Sequence, residues 1–380
     1  MSTVRDRLRE QPLPGEAEAA ARTWPVVAAA LAERPPLGRR HRAPVRLAIV
    51  IALLVLALAI TLSPAGAWIE DRFDSEPHPS PPAFAALPKG GSVLAISRSG
   101  AYAISPDGST QNLGSFRQAG WSPRGKHVVG VNGRRLIAVT PTGIVKWTLA
   151  EPHRVSHPAW STDEGFAVAY LEGTSLRVVA GNGDPVTNRR VRGGAAAVTP
   201  AWLPHSDRAL TYATRRGTIE TVDVITRATL WRTGATVARP RALAWSRSGR
   251  RLVALTARSV VVLDAGGRVL RSVPLPGPAQ ELALHPSGRK TAVQVAGGGE
   301  MRVLELRLNR TGAAPRELFQ GDVDGLAWSQ DGRRLLVGWR GAGQWLLLGP
   351  GSRIRPLHDV SRELGTPGGF PRVAGWCCAG

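Results

Sequence analysis

The sequence predicts an all-β chain, a seven-bladed β-propeller whose two ends share one blade, preceded by one transmembrane helix and a short helical cytoplasmic tail. Three observations lead there. A short phrase of a small residue and Trp, followed by Ser in four copies of five, recurs along the chain, in "GWSPRGKHVVGV" from Gly120, "AWSTDEGFAVAYL" from Ala159, "AWLPHSDRALTYA" from Ala201, "AWSRSGRRLVALTA" from Ala244 and "AWSQDGRRLLVGW" from Ala327. Each copy is followed by three further strand-like runs within about 40 residues, the size of a four-stranded blade. Upstream, an uncharged run from Leu47 to Ile69 has the length of a membrane span.

Composition agrees with strands and turns rather than long helices: 43 Gly, 30 Pro and 12 Trp in 380 residues, with 43% hydrophobic content. The formal charge is +21, from 49 Lys and Arg against 28 Asp and Glu. Only Lys89, Lys126, Lys146 and Lys290 are lysines, an Arg-for-Lys bias of the kind GC-rich coding produces. The two cysteines, Cys377 and Cys378, are adjacent. They make no disulfide framework or zinc motif, and strand alternation leads to plain packing with one thiol buried and the other exposed.

Residues 1–46 are expected to form the tail, with "VRDRLRE" and "GEAEAAARTWPVVAAALAER" as helix-prone pieces too small for a core of their own. Residues 47–69 would span roughly 34 Å as a helix, enough for a bilayer core. Arg34, Arg39, Arg40, Arg42 and Arg46 precede the run, and Glu70, Asp71, Asp74 and Glu76 follow it. The positive-inside rule then places the N-terminus in the cytoplasm and everything after Ile69 outside, in the cell envelope. "AGA" at Ala65 to Ala67 resembles a signal-peptidase site, but 46 residues ahead of the apolar core favour an uncleaved signal anchor. Residues 70–91, containing "EPHPSPP", read as an extended linker.

Residues 92–380 carry the repeat. Its key positions are Trp121, Trp160, Trp202, Trp245, Leu284, Trp328 and Trp376, at intervals of 39, 42, 43, 39, 44 and 48 residues. Within a unit, an alternating strand such as "RRLVALTA" follows the phrase, then "VVVLDAGG", then "RVLRSV". A lone blade exposes both faces of its sheet. Radial stacking covers them, and Trp at one depth fills the wedge between blades. The first piece, Ser92 to Gly114, has three strands and lacks the opening one, whereas Arg372 to Gly380 is an opening strand alone. Together they complete one blade, fastening the ends of the ring and removing free edges.

"WSRSGRR", "WSQDGRR" and "ISPDGS" resemble the "WSPDG(R/K)" phrase of the WD40-like propeller repeats of TolB and its relatives. The resemblance covers residues 92–380 and implies an extracytoplasmic binding scaffold, though function does not follow from fold. The anchored plan also resembles actinobacterial membrane proteins with an external propeller, among them transmembrane anti-sigma factors. That implies a second reading, a regulator whose residues 1–34 hold a cytoplasmic protein. The tail lacks the His and Cys pattern of zinc-type anti-sigma domains, having His41 alone.

Catalytic motifs are missing: no GxSxG, HExxH or GxxxxGK[ST] occurs. His153, His157, His205, His285 and His358 fall mostly in turns without nearby Cys or carboxylate, and "GDVDG" at Gly321 to Gly325 is too short for a calcium loop. The expectation is a protein that is no enzyme and takes no cofactor or metal. Charge is more informative. Residues 70–380 carry a net +17, and many cations fall in the turn after the Trp phrase: Arg124, Lys126, Arg208, Arg250, Arg251, Arg289, Lys290, Arg333 and Arg334. The same turn of each blade lies on one face, so these residues are expected to form a positive collar around one opening, interrupted at Asp163 and Glu164. An Arg-biased proteome explains such a collar as solvated turns. The sharper reading is a landing surface for an anionic partner, whether wall polymer, phospholipid headgroup or acidic protein. Nucleic acid is a poor partner for a domain outside the membrane.

Overall fold

Why seven blades form is visible in the sheets themselves. The computed structural model describes residues 83–88, 91–162, 167–189, 194–206, 208–234, 238–366 and 369–378. The expected tail, span and most of the linker, together with Asp163 and Glu164, lie outside the described residues. Among the described residues no helix is long and apolar enough to cross a membrane.

The chain begins the ring with β1 (Ser92–Ile96), β2 (Ala101–Ile104) and β3 (Thr110–Gly114). Blade 2 is β4 (Gln118–Trp121), β5 (Val128–Asn132), β6 (Arg135–Val139) and β7 (Val145–Ala150). Blade 3 is β8 (Val155–Trp160), β9 (Ala167–Glu172), β10 (Ser175–Ala180) and β11 (Pro185–Arg189). Blade 4 is β12 (Ala201–Trp202), β13 (Ala209–Ala213), β14 (Ile219–Asp223) and β15 (Thr229–Arg232). Blade 5 is β16 (Ala242–Trp245), β17 (Arg251–Leu255), β18 (Ser259–Asp264) and β19 (Val269–Pro274). Blade 6 is β20 (Ala279–Leu284), β21 (Lys290–Gly297), β22 (Glu300–Arg307) and β23 (Arg316–Gly321). Blade 7 is β24 (Val323–Trp328), β25 (Leu335–Trp339), β26 (Gln344–Leu348) and β27 (Ile354–Leu357). Last, β28 (Arg372–Cys377) returns to pair antiparallel with β1, Val93 facing Trp376 and Ile96 facing Arg372. Blade 1 is therefore β28-β1-β2-β3, the composite that the two incomplete ends implied.

The first strand of each blade is innermost. Each of these seven strands contacts the next round the circle, β28 to β4 and onward until β24 meets β28 again. The second and third strands are buried on both faces; every residue of β9, β13 and β14 is buried. Their apolar runs are continuous for that reason, and "RRLVALTA" is not a half-exposed alternating strand: Leu252 to Leu255 are all wholly buried. Outermost strands such as β7 and β19 are largely exposed.

Seven apolar clusters hold the ring, one at each seam between blades. The smallest lies between blades 4 and 5, where Thr211 and Thr221 share a buried hydroxyl bond of 2.7 Å and Trp245 Nε1 donates to Thr211 Oγ1 at 3.0 Å. Trp202 Nε1 donates to Ala159 O at 3.1 Å and Trp328 Nε1 to Ala283 O at 3.0 Å. In all three cases an indole reaches back to the preceding blade, which ties the wedge by a directional bond as well as by area. Trp121, Trp160 and Trp376 keep buried indole N–H groups without a partner among the described residues.

The described residues ahead of the boundary expected at residue 92 pack onto the ring. Ala83–Ala86 form a 3-10 helix, and Phe84 is wholly buried with its ring 5.3 Å from that of Trp345. Phe84 and Leu87 fill the seam between blades 7 and 1, beside the strand that closes the ring. The cysteines also differ from expectation. Cys377 and Cys378 are bonded to each other as a vicinal disulfide, and both are half-buried. The alternation rule stops applying because the strand ends at Cys377 and Cys378 turns out of it with φ of 39°.

Deleting Arg372–Gly380 removes the inner strand of blade 1 and leaves β1 and the seam to blade 7 uncovered. The expected outcome, measured by thermal denaturation, is loss of the cooperative transition of the whole ring together with aggregation. A truncated chain that melts like the full-length one would show that closure is dispensable.

Candidate functional site at the mouth of the ring

Each phrase places its Trp at the end of the innermost strand and then turns outward to the second strand. In blades 2, 5, 6 and 7 a glycine closes that turn. Gly125, Gly249, Gly288 and Gly332 have φ of 67°, 67°, 64° and 68°, in the left-handed region that favours Gly. The same glycines are where adjacent blades touch. A Cβ on Gly288 would lie 2.4 Å from Ser246 Cβ of blade 5, and one on Gly332 would lie 2.2 Å from the His285 ring of blade 6. The turns thus overlap in sequence, each resting on the one before.

His285 locks one such overlap. Its Nε2 is 2.9 Å from Gly332 O, which only accepts, so Nε2 carries the hydrogen. Nδ1 then accepts from Ser287 N at 3.1 Å and from the Ser287 hydroxyl at 2.8 Å. Burial holds its pKa below the ordinary histidine value. Both nitrogens are committed to structure.

This geometry splits the turn into an inward and an outward limb. A cavity of about 520 Å³ occupies the mouth of the ring, lined by the phrase residues Trp121, Trp245, Leu284, Trp328 and Trp376. The position two residues after the key one lines it in six blades: Pro123, Thr162, Pro204, Arg247, Pro286 and Gln330. In blade 1 that position is Cys378, whose Sγ lies 2.9 Å from Pro123 O, while Cys377 Sγ is 3.5 Å from Ser122 O. Sequence reasoning assigned the Trp residues to packing and passed over this position, although reading down the aligned phrases two residues past the Trp would have shown it.

The nine expected collar cations do not rim that cavity; none of them is among its lining residues. They stand on the outward limb, three to six residues past the key position, and fan into the seams. Arg208 pairs with Asp223 at 3.3 Å, Lys290 with Glu305 at 2.9 Å and Arg333 with Asp331 at 3.9 Å. Lys290 also sits 4.7 Å over the Trp328 ring. Arg124 and Lys126 are exposed on the β4–β5 turn, and Arg334 is half-buried before β25. Arg250, Arg251 and Arg289 line one cleft between blades 5 and 6. The cation that does reach the mouth is Arg247.

Of the other histidines, His153 Nδ1 is 3.0 Å from Glu172 Oε1, whose other oxygen binds Arg177. His157 lies within β8 rather than in a turn, with φ of 55° and its backbone N–H donated to Gln118 Oε1. His205 is an exposed turn residue with φ of 62°, and His358 is exposed after β27. No group of three metal-ligating side chains occurs among the described residues. In the "GDVDG" stretch Asp324 pairs with Arg340.

A second polar cluster joins the inner strands of blades 6, 7 and 1. Glu281 of β20 lies 3.8 Å from Arg372 of β28 and accepts backbone hydrogen bonds from Gly325 and Leu326 of β24. Protein surrounds the carboxyl closely although a quarter of the side chain remains solvent-accessible. Burial pushes its pKa up to about 7; Arg372 opposes the rise without cancelling it.

No family model matches the chain, and no curated protein matches it in sequence. Solved structures do. The Cps50 (Swd1) β-propeller domain of Myceliophteria thermophila superposes with a TM-score of 0.52 at 15% identity, over 64% of this chain and 86% of that one. Kuenenia stuttgartiensis hydrazine synthase gives 0.52 at 18% identity, over 62% and 76%. At such identities the likeness concerns the fold alone, that of a β-propeller.

Because the Glu281 pKa is raised in the folded state, the contribution of its protonated form is fully present below about pH 4.5 and is lost as pH rises through about 7. Melting temperatures of the parent and E281Q at pH 5 and pH 8 should show Gln gaining relative to Glu at the higher pH. A difference that does not change with pH would mean that Glu281 is already ionised throughout.

Proposed function

We propose that the chain is a membrane-anchored binding scaffold of the cell envelope, held by residues 47–69 with the propeller on the outer side, and that it binds its partner on the face bearing the Trp-Ser turns. The observation that carries this is the convergence of six such turns on one mouth. A scaffold that repeats a turn in six blades presents six independently variable positions around one cavity, and here they read Pro, Thr, Pro, Arg, Pro and Gln. That lining suits contact and recognition, with apolar rings and a few polar groups. The excess of cations on the outward limbs supports an anionic partner, drawn by long-range attraction.

Two measurements test the reading. Protease added outside intact cells should digest the propeller and spare the tail; a soluble product starting near Trp68 would show cleavage instead of anchoring. The purified full chain should be retained on heparin and elute earlier after Arg124, Lys126, Arg333 and Arg334 are all replaced by Ser. Each such cation is worth on the order of 1 kcal/mol at most near an anionic surface, and less as salt rises. Unchanged elution would reduce the cations to solvated turns.

A further inference from the structure

The seam between blades 5 and 6 differs from its neighbours in how its charge is balanced. Gly288, with φ of 64°, brings the blade 6 turn down onto Ser246, and the two turns enclose a cleft of about 330 Å³. Ser246, Ser248, Arg250 and Arg251 line one side of it, and Arg289 and Asn309 the other. The backbone of both turns is satisfied within the turns themselves. Ser246 Oγ accepts from Arg251 N at 3.1 Å, and Ser287 Oγ accepts from Arg289 N at 3.3 Å. The three guanidinium groups have no ion pair with any described carboxylate. In the next seam, between blades 6 and 7, Lys290, Arg307, Arg316 and Arg333 line a cleft that also holds Glu305 and Glu317, and Lys290 is neutralised by Glu305 at 2.9 Å, whereas no carboxylate lines the cleft between blades 5 and 6.

Three guanidinium forks around one cavity repel one another unless an anion joins them, and a fork matches two oxygens of a tetrahedral oxyanion at once. We propose that this cleft binds a phosphoryl group. The inference rests on the reading of this face as a binding face and adds to it a discrete site and a ligand chemistry. The cleft exceeds a bare phosphate in volume, so a phosphate ester with part of the moiety that carries it fits the chemistry as well as the free ion does.

The test is calorimetric titration of the purified full chain with inorganic phosphate and, separately, with short-chain phosphatidylglycerol against short-chain phosphatidylcholine. The parent is expected to bind phosphate. R289S, and R250S combined with R251S, should each weaken binding about tenfold or more, the effect of losing a charge-assisted bond. R289K keeps the charge without the fork and should fall between. R135S, at the exposed first position of β6 in blade 2, should leave binding unchanged. Tighter binding of phosphatidylglycerol than of phosphate identifies a lipid headgroup as the source, and equal or weaker binding identifies soluble phosphate; both support the site. No heat at about 10 mM phosphate, an affinity too weak to matter, overturns it. So does R289S or R289K binding as the parent does. Loss of R289S to misfolding, seen in its melting curve, leaves R289K to decide. Phosphate binding without heparin retention removes the broader reading of the face and keeps the cleft, whereas retention without phosphate binding removes the cleft alone.

Discussion

The antiparallel ladder between β1 and β28 holds the two ends of the propeller in one sheet, and the other six blades depend on it. A blade in such a ring is stable because both its faces are covered. Breaking one seam uncovers two faces at once and releases the inner strands from their circle of contacts. The seam beside the ladder is reinforced accordingly: Phe84 and Leu87 enter it from before β1, and Trp345 Nε1 donates to Pro371 O at 2.9 Å just ahead of β28. Closure here is a packed join with its own apolar cluster, on top of the strand pairing.

The glycine turn sets what the ring can display. Its left-handed residue lets one blade rest on the preceding one at a distance no Cβ allows, and in doing so it divides a short loop into two limbs with different views. The inward limb meets the ring axis and carries few charges. The outward limb runs along a seam and carries most of them. One loop type therefore supplies a recognition cavity and a set of radial clefts, and how far a cleft's charge is balanced depends on what the third strand of the same blade contributes. Glu305 on β22 neutralises Lys290; nothing comparable reaches Arg250, Arg251 and Arg289.

Much of this was legible from the chain because the fold is repetitive. Seven copies of one phrase at near-equal spacing define the blades even where Leu284 stands for Trp, and two complementary fragments at the ends define the closure. What stayed hidden had no repeat to announce it. Phe84 is one aromatic in a Pro-rich stretch, and its burial depends on a cavity that only the closed ring creates. The direction of the cations needed the turn's backbone path, since residues two and five positions past the Trp differ in sequence by three places and in space by opposite limbs. Glu281 reads as an ordinary strand carboxylate; its raised pKa comes from burial in the closed ring, against the opposing pull of Arg372 and the β24 amides, which lie far along the chain.

The ladder also has a consequence in time. Ser92 faces Cys377 in that ladder, and at ordinary rates of synthesis the stretch between them takes on the order of ten to sixty seconds to make. Throughout that interval β1 waits with its inner edge unpaired, and every blade already made leans on a neighbour that has no final partner. A nascent chain in this condition is an open horseshoe with two sticky ends, vulnerable to the edge pairing that the finished circle abolishes. Whatever holds it during synthesis must cover β1 first and let go last.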